Sequence, residues 1–287
     1  MIDYDLHIHC SPYSTCATQT AEQAIRQAKN AGIRLVSICN HNTIDGLNEI
    51  KNICLRYGME WISGVELSVT LKEMPTEFNG KVIHLLGYGF NPKKEVFNGV
   101  LENISCKYKK RIADICCYLR SIGYSVDVCE RMKDLRMQLV QKGYFLTEKN
   151  AKEFLTSDEF IERFPEEKLD SQSAIDLIHG LGGKVFLAHP NQAEGHKEIV
   201  HREIIVLVNQ LCKQGLDGVE VFHPHTIVKS ETIDLLLSLA KKKGLLISLG
   251  SDAHHYKENQ KYFTESAELK SCNFDFEALG KTWEEML

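Results

Sequence analysis

Asp5-Leu6-His7-Ile8-His9 closes the apolar run Ile2–Ile8, and a capping signature follows at Thr20-Ala21-Glu22-Gln23. Residues two apart in a strand project to the same side, so His7 and His9 point together and Asp5 lies one step deeper on that side. Thr20 is placed to cap a helix, with Gln23 reaching back to its N–H. That helix continues through Ala24, Ile25 and Ala28 and stops at Gly32. The run Arg34–Cys39 then resumes with Leu, Val and Ile. Strand, helix and strand in this order are the unit from which parallel sheets are built.

The same alternation extends along the chain. Further apolar runs lie at Glu60–Val69, Lys81–Gly87, Lys184–Ala188, Gly218–Phe222 and Leu245–Leu249. Each is short and rich in Val, Ile and Leu, as strands buried on both faces are. Ala174, Ile175, Ile178 and Leu181 repeat at helical spacing, as do Ile204, Ile205, Val208 and Leu211, and Ile233–Leu239 leads into Lys241-Lys242-Lys243. The lysines suit the negative end of a helix. The fold class expected is α/β with a parallel sheet, closed as a barrel or open and doubly wound; periodicity alone chooses neither.

One stretch breaks the rhythm. Residues 98–169 carry helical periods and no convincing strand: Leu101, Ile104, Tyr108, Ile112, Ile115 and Leu119 mark one amphipathic helix, and Ala151–Phe164 reads as another. The expected organisation is a barrel-type domain over residues 1–97, an inserted helical lid over 98–169, and the rest of the first domain over 170–287. Lys107, Lys109, Lys110 and Arg111 in the insertion read as a solvated face. A last amphipathic helix through Phe276, Leu279 and Trp283 caps the barrel or meets a partner.

Composition narrows the function classes. Hydrophobic residues make up 43% and charged residues 25%, with a net charge of −5. That balance gives no pull toward long nucleic acid or an anionic membrane. The ten cysteines form no paired CxxC sets and read as free thiols in a reducing compartment. MIDYDLHIHC is too short and polar for a secretory leader, and no apolar run approaches membrane-spanning length, so a cytoplasmic setting is expected.

The placement of ligand-type residues carries the functional argument. His7 and His9 end the first run, His41 follows the second, Glu66 lies in the third and His84 in the fourth. His189 ends the fifth, His223 and His225 follow the sixth, and Asp252 and His254 follow the seventh. The C-terminal ends of strands are where β/α folds build their sites. A set of imidazoles and carboxylates with no obvious thiolate suits Mn, Fe or Zn. The number of ligands implies two or three ions, which activate water to hydroxide and clamp a phosphoryl group. Asp5 is either a partner that orients an imidazole or a buried hydrogen-bonded acid.

Together DLHIH, CNHNTIDG, GVELS, HLLGYG, LAHP, GVEV and GSDAH, in this order, resemble the PHP (polymerase and histidinol phosphatase) family over residues 1–90 and about 170–256. The resemblance implies a distorted (β/α)7 barrel with a divalent cluster at its C-terminal rim and hydrolysis of phosphate esters. It implies His7, His9, Glu66 and Asp252 at a first ion, with Glu66 bridging to a second held by His84 and His189. His41 and His254 match ligands of a third. His225, or else His223, matches a histidine at the substrate phosphate, and Asp252 and His225 are the catalytic candidates. The chain departs from the pattern at three places. Thr15 stands near a customary Asp, Asn40 replaces the Asp of TDH, and Asp134 falls where the insertion usually carries a His.

Within that family the chain resembles stand-alone phosphoesterases. The expectation is a metal-dependent phosphomonoesterase for a small metabolite or nucleotide, of the 3′,5′-nucleotide bisphosphate phosphatase type, using a metal-bound hydroxide. The alternatives are an exonuclease on short RNA or DNA, and a catalytically weakened domain that senses a nucleotide or docks on a partner.

Overall fold

The computed structural model describes residues 4–14, 16–71, 78, 81–92, 94–165, 168–193, 197–224 and 230–255. The chain divides into two compact units, Met1–Phe97 with Leu169–Leu287, and Asn98–Lys168. Thr15, His225 and the predicted C-terminal helix lie outside the described residues.

In chain order the first unit begins β1 (Tyr4–Ile8), α1 (Ala21–Asn30), β2 (Leu35–Ile38), α2 (Leu47–Tyr57), β3 (Glu60–Trp61), β4 (Gly64–Thr70) and β5 (Val82–Tyr88). The helices α3 (Lys94–Ser121), α4 (Met132–Gln141), α5 (Glu148–Leu155) and α6 (Asp158–Arg163) follow. The chain returns through β6 (Leu169–Asp170), α7 (Ser171–Gly180), β7 (Lys184–Leu187), β8 (Gln192–Ala193) and β9 (Lys197–Glu198). It continues with α8 (His201–Gln214), β10 (Gly218–Phe222), α9 (Ser230–Lys243) and β11 (Leu246–Leu249). At α1 the predicted capping box forms: Thr20 Oγ1 accepts from Gln23 N–H at 3.2 Å, and Gln23 Oε1 from Thr20 N–H at 2.8 Å.

The strands form α/β sheets, but not the all-parallel sheet expected. One sheet runs β1-β2-β3, all parallel. The other runs β11-β10-β7-β5-β4-β6, and in it β5 is antiparallel to both β4 and β7. Among the described residues the ladders do not close into a single barrel. The two sheets meet instead at isolated parallel bridges, Ile8 with Ala253 and His41 with Glu66. Leu6, Ile8, Ile38, Leu67, Leu85, Leu86, Phe186, Val219 and Val221 are buried along these strands, each contributing roughly 1.5–3 kcal/mol of apolar burial. On α8, Leu207 takes the buried position while Ile205 faces outward.

Within the second unit, Ile112, Ile115 and Leu119 of α3 pack with Leu135, Leu139, Ala151, Leu155 and Phe160 in one apolar cluster. The single helix expected over Ala151–Phe164 is two, because Ser157 takes extended backbone as the N-cap of α6. Arg111 Nε donates to the Phe164 carbonyl at 2.7 Å, and Lys109 pairs with Glu130 at 2.8 Å on the exposed face. Exposed pairs of this kind contribute little stability. No helix among the described residues is long and apolar enough to cross a membrane.

Candidate metal centre

Strand pairing brings residues from distant stretches to one point. His7 projects from β1, His9 follows its last residue, and both are fully buried. Their Nε2 atoms lie 3.1 Å apart. The chain leaving β11 runs beside β1, with Asp252 N–H donating to the His7 carbonyl at 2.7 Å and His9 N–H to that of Ala253 at 2.9 Å. This sets Asp252 Oδ1 at 3.4 Å from His7 Nε2 and 3.0 Å from His9 Nε2. Gly250 allows the approach, since a Cβ there would sit 2.1 Å from His7 Cβ.

Glu66 faces this group and a second one. Its Oε2 lies 3.4 Å from His7 Nε2, 3.1 Å from His9 Nε2 and 3.0 Å from His41 Nδ1. Its Oε1 lies 2.8 Å from His84 Nδ1 and 3.1 Å from His189 Nε2. Those two imidazoles are themselves 3.2 Å apart. Glu66 and His84 are not at the C-terminal ends of their strands, as the sequence suggested. Because β5 runs antiparallel, its N-terminal end, with His84, lies level with the C-terminal end of β7, where the His84 carbonyl accepts from Ala188 N–H at 3.1 Å. Glu66 arrives from mid-β4 because the chain beyond β2 pairs with it at His41.

The donor set fits divalent cations. Glu66 Oε2 is buried and accepts no hydrogen bond, although three ring nitrogens surround it; His84 Nε2 is likewise buried without one. A buried carboxylate oxygen left this way is costly unless a cation completes it. His7, His9, Glu66 and Asp252 each offer an atom within 4.8 Å of the others, as do His41, Glu66 and His84.

The electrostatics are those of a tightly coupled cage. Burial opposes the charge on Glu66, yet His41, His84 and His7 hold it well below the usual carboxylate range. Burial also opposes the charge on Asp252, and His7, His223 and His9 overcome it in the same direction. Desolvation disfavours charging His7, but Glu220, Glu66 and Asp252 push it well above the usual imidazole range. Against the same desolvation, Glu66 and Cys16 raise His41 to about 10. Desolvation prevails at His84, which is pushed down. The His41 shift gives a signed expectation for protein stripped of ions. Its stabilisation is complete below the ordinary imidazole pKa of 6.5 and is lost as pH rises through about 10. His7, His189 and His254 are raised as well, while the lowered thiol of Cys16 offsets part of the change, so the melting temperature of chelated protein should fall as pH rises toward 10, and a rising profile would contradict these shifts.

Further polar groups hold these imidazoles in place. Glu220 of β10, fully buried, places Oε1 3.0 Å from His7 Nδ1 and accepts from His189 N–H through Oε2 at 2.8 Å. Ser14 Oγ lies 3.3 Å from His9 Nδ1 and accepts from His41 N–H at 3.0 Å. Asp5 Oδ1 accepts backbone N–H from His7 at 3.2 Å and Ser251 at 3.0 Å, so it is the buried hydrogen-bonded acid of the two readings. His189 and Asp252 both take positive φ, 26° and 51°, a strained backbone of the kind that collects at functional sites. Glu220→Gln is expected to keep the fold and lower ion affinity about 10–100-fold, the usual effect of losing an orienting carboxylate. Metal titration of the variant reads this directly, and wild-type affinity would remove Glu220 from the account.

Sequence reasoning passed over Glu220 and Cys16. Glu220 was legible as an acid inside the apolar strand Gly218–Phe222, a placement that demands a partner. Cys16 belongs to no CxxC pair, but the structure brings it together with His9, His41 and His254. Desolvation opposes its ionisation, yet hydrogen bonds with His254 and His41 bring the thiol down to about 6. Of the remaining candidates, His223 Nε2 lies 3.5 Å from Asp252 Oδ2. Asn40 accepts from Cys10 N–H at 3.0 Å. Asp134 is taken up on the second unit by Arg131, at 2.7 and 2.8 Å.

Known proteins resemble this chain along most of its length. The chain is 26% identical over 263 residues to a 5′-3′ exoribonuclease of Haemophilus influenzae, covering 88% of this chain and 89% of the relative. It is 25% identical over 271 residues (87% and 93%) to a phosphoribosyl 1,2-cyclic phosphate 1,2-diphosphodiesterase of Eggerthella lenta. A 3′,5′-nucleoside bisphosphate phosphatase of Chromobacterium violaceum matches at 23% over 270 residues, 88% of each. Among solved structures, an amidohydrolase from Chromobacterium violaceum with bound sulfate superposes with a TM-score of 0.66 at 21% identity, over 90% of this chain and 89% of that one. A family model described as the PHP domain matches residues 5–279, and the chain that gathers these histidines and carboxylates therefore belongs to the PHP family.

Proposed function

We propose that this chain, a metal-dependent phosphoric ester hydrolase, removes phosphate from a small phosphorylated metabolite or nucleotide, with 3′,5′-nucleotide bisphosphates as the first candidates. The observation that carries the reading is Glu66, whose two oxygens face two separate sets of imidazoles. His7, His9, Glu66 and Asp252 would hold one ion, and Glu66, His84 and His189 a second. His41 and His254 would hold a third, the ions being Mn, Fe or Zn. Bound there, the ions supply an activated water at neutral pH and positive charge for the phosphoryl oxygens.

The chain's own residues do the rest. Glu220 and Ser14 fix the ring orientations of His7 and His9, so their lone pairs converge without rearrangement. Asp252 faces both the first ion site and His223, which places His223 to position a substrate oxygen. His225 would stand at the substrate phosphate and deliver a proton to the leaving oxygen. The bridges Ile8–Ala253 and His41–Glu66 support reading the two sheets as a distorted seven-stranded barrel. The nine described cysteines are free, in keeping with a cytoplasmic setting.

One observation favours a second reading, exonuclease action on short RNA: the relative with 26% identity is an exoribonuclease. The net charge of −5 weighs against long polymers as substrates. A panel assay with added Mn, Fe or Zn tests both, using 3′,5′-bisphosphonucleotides, sugar phosphates, cyclic phosphates and short RNA. Inorganic phosphate released from the bisphosphonucleotides is the expected result. Nucleotides released from RNA alone would favour the second reading, and no turnover on any substrate would overturn both.

A further inference from the structure

We infer that Cys16 is a metal ligand, its thiolate joining His41 and His254 to hold the third of the proposed ions. The inference rests on the metal-cluster reading above and adds to it a sulfur donor that changes which ion the site selects.

The geometry argues for it residue by residue. Cys16 Sγ and one ring nitrogen each of His9, His41 and His254 lie within 4.8 Å of one another. His9 is already engaged: its Nε2 faces Glu66 and Asp252 at 3.1 and 3.0 Å, and its Nδ1 faces Ser14 Oγ at 3.3 Å. Its ring instead stacks against both other imidazoles, with centroids 4.5 Å from His41 and 4.3 Å from His254. His41 turns only Nδ1 to Glu66, at 3.0 Å, which leaves its other ring nitrogen to converge with Cys16 and His254. His254 Nδ1 lies 2.7 Å from the Asp252 carbonyl oxygen, which can only accept. The proton therefore sits on Nδ1, and Nε2 presents its lone pair, as metal-bound histidines do.

Cys16 also differs from its neighbours in the chain. Cys10 and Cys39 are buried with their sulfurs against Asn40 and the Leu6 carbonyl, and Cys54 is buried as a small apolar side chain, whereas Cys16 is exposed beside two imidazoles. A soft thiolate with two imidazoles favours Zn over Mn, where a carboxylate in its place would favour the harder ion. Three protein ligands leave a coordination position open, the pattern of catalytic rather than structural zinc.

Cobalt(II) substitution tests this without reference to turnover. Metal-free full-length protein is titrated with Co(II) while the near-ultraviolet and visible spectra are followed. The wild type should develop a thiolate-to-cobalt charge-transfer band that is lost in Cys16→Ser. Cys16→Asp should bind the last equivalent of Co(II) without the band and shift preference from Zn toward Mn. Far-ultraviolet circular dichroism of the metal-free variants verifies folding, which an exposed side chain should not disturb. Saturation of the wild type with no such band, or a band of full strength in Cys16→Ser, would overturn the inference. The panel assay on the same preparations separates the two readings. Phosphate release without the band defeats only the cysteine ligand, and the band without turnover on any substrate defeats only the phosphatase reading.

Discussion

Glu66→Gln should strip the protein of ions and activity while leaving its secondary structure intact. Among the described residues, Glu66 is the carboxylate that faces His7 and His9 on one side and His84 and His189 on the other. Gln keeps the volume and removes the charge. Breaking a buried charged contact by deleting one partner costs about 3–5 kcal/mol, which is a loss of affinity of roughly 10² to 4 × 10³-fold at 1.4 kcal/mol per decade. The two proposed sites share the residue, so both should weaken together. Elemental analysis after dialysis, alongside phosphate release, gives the comparison. A variant that retains wild-type metal content and turnover would show that Glu66 does not bridge.

Asp252→Asn is the second large effect. Asp252 contacts His7 and His9 through Oδ1 and His223 through Oδ2, and its carboxyl is held well below its usual range. Its φ of 51° is a conformation that Asn tolerates and Ala does not. Asn therefore removes the charge without a backbone penalty, and what is lost is ligation. Activity is expected to fall by at least about 10²-fold, on the same 3–5 kcal/mol scale, with one ion lost per chain. His9→Ala should match it. Wild-type turnover in either variant would defeat the ligand assignment.

Much of this arrangement was legible because it is local. His7 and His9 share a side of a strand by the two-residue period, and Thr20 with Gln23 announces a helix start by spacing alone. The direction of Val82–Tyr88 was harder. Antiparallel strands can be joined by short links, whereas parallel ones need a crossover of a dozen or more residues. No helical period lies between the third and fourth apolar runs, and that gap was the readable sign of a reversal. Strand reversal in turn explains why His84 reaches the site from the wrong end of its strand. The break at Ser157 was not legible, since the apolar spacing runs on through it.

Cys16 and Glu220 mark a different boundary. Glu220 sits in the GVEV stretch and Cys16 beside Thr15, but neither spacing by itself names the side chain it meets. Their roles appear only when the chain after β1 meets those after β2 and β11, and when β10 lies behind β1. Pairing between distant segments decides which polar side chains meet, and a single sequence records that only indirectly.

Diffraction from crystals of protein loaded with Mn, Fe or Zn, recorded across each metal's absorption edge, tests the shared cluster most directly. Anomalous peaks should fall about 2.0–2.3 Å from the ring nitrogens and carboxylate oxygens, one beside each oxygen of Glu66. Peaks confined to other parts of the molecule, or a loaded protein with no ion beside Glu66, would contradict it.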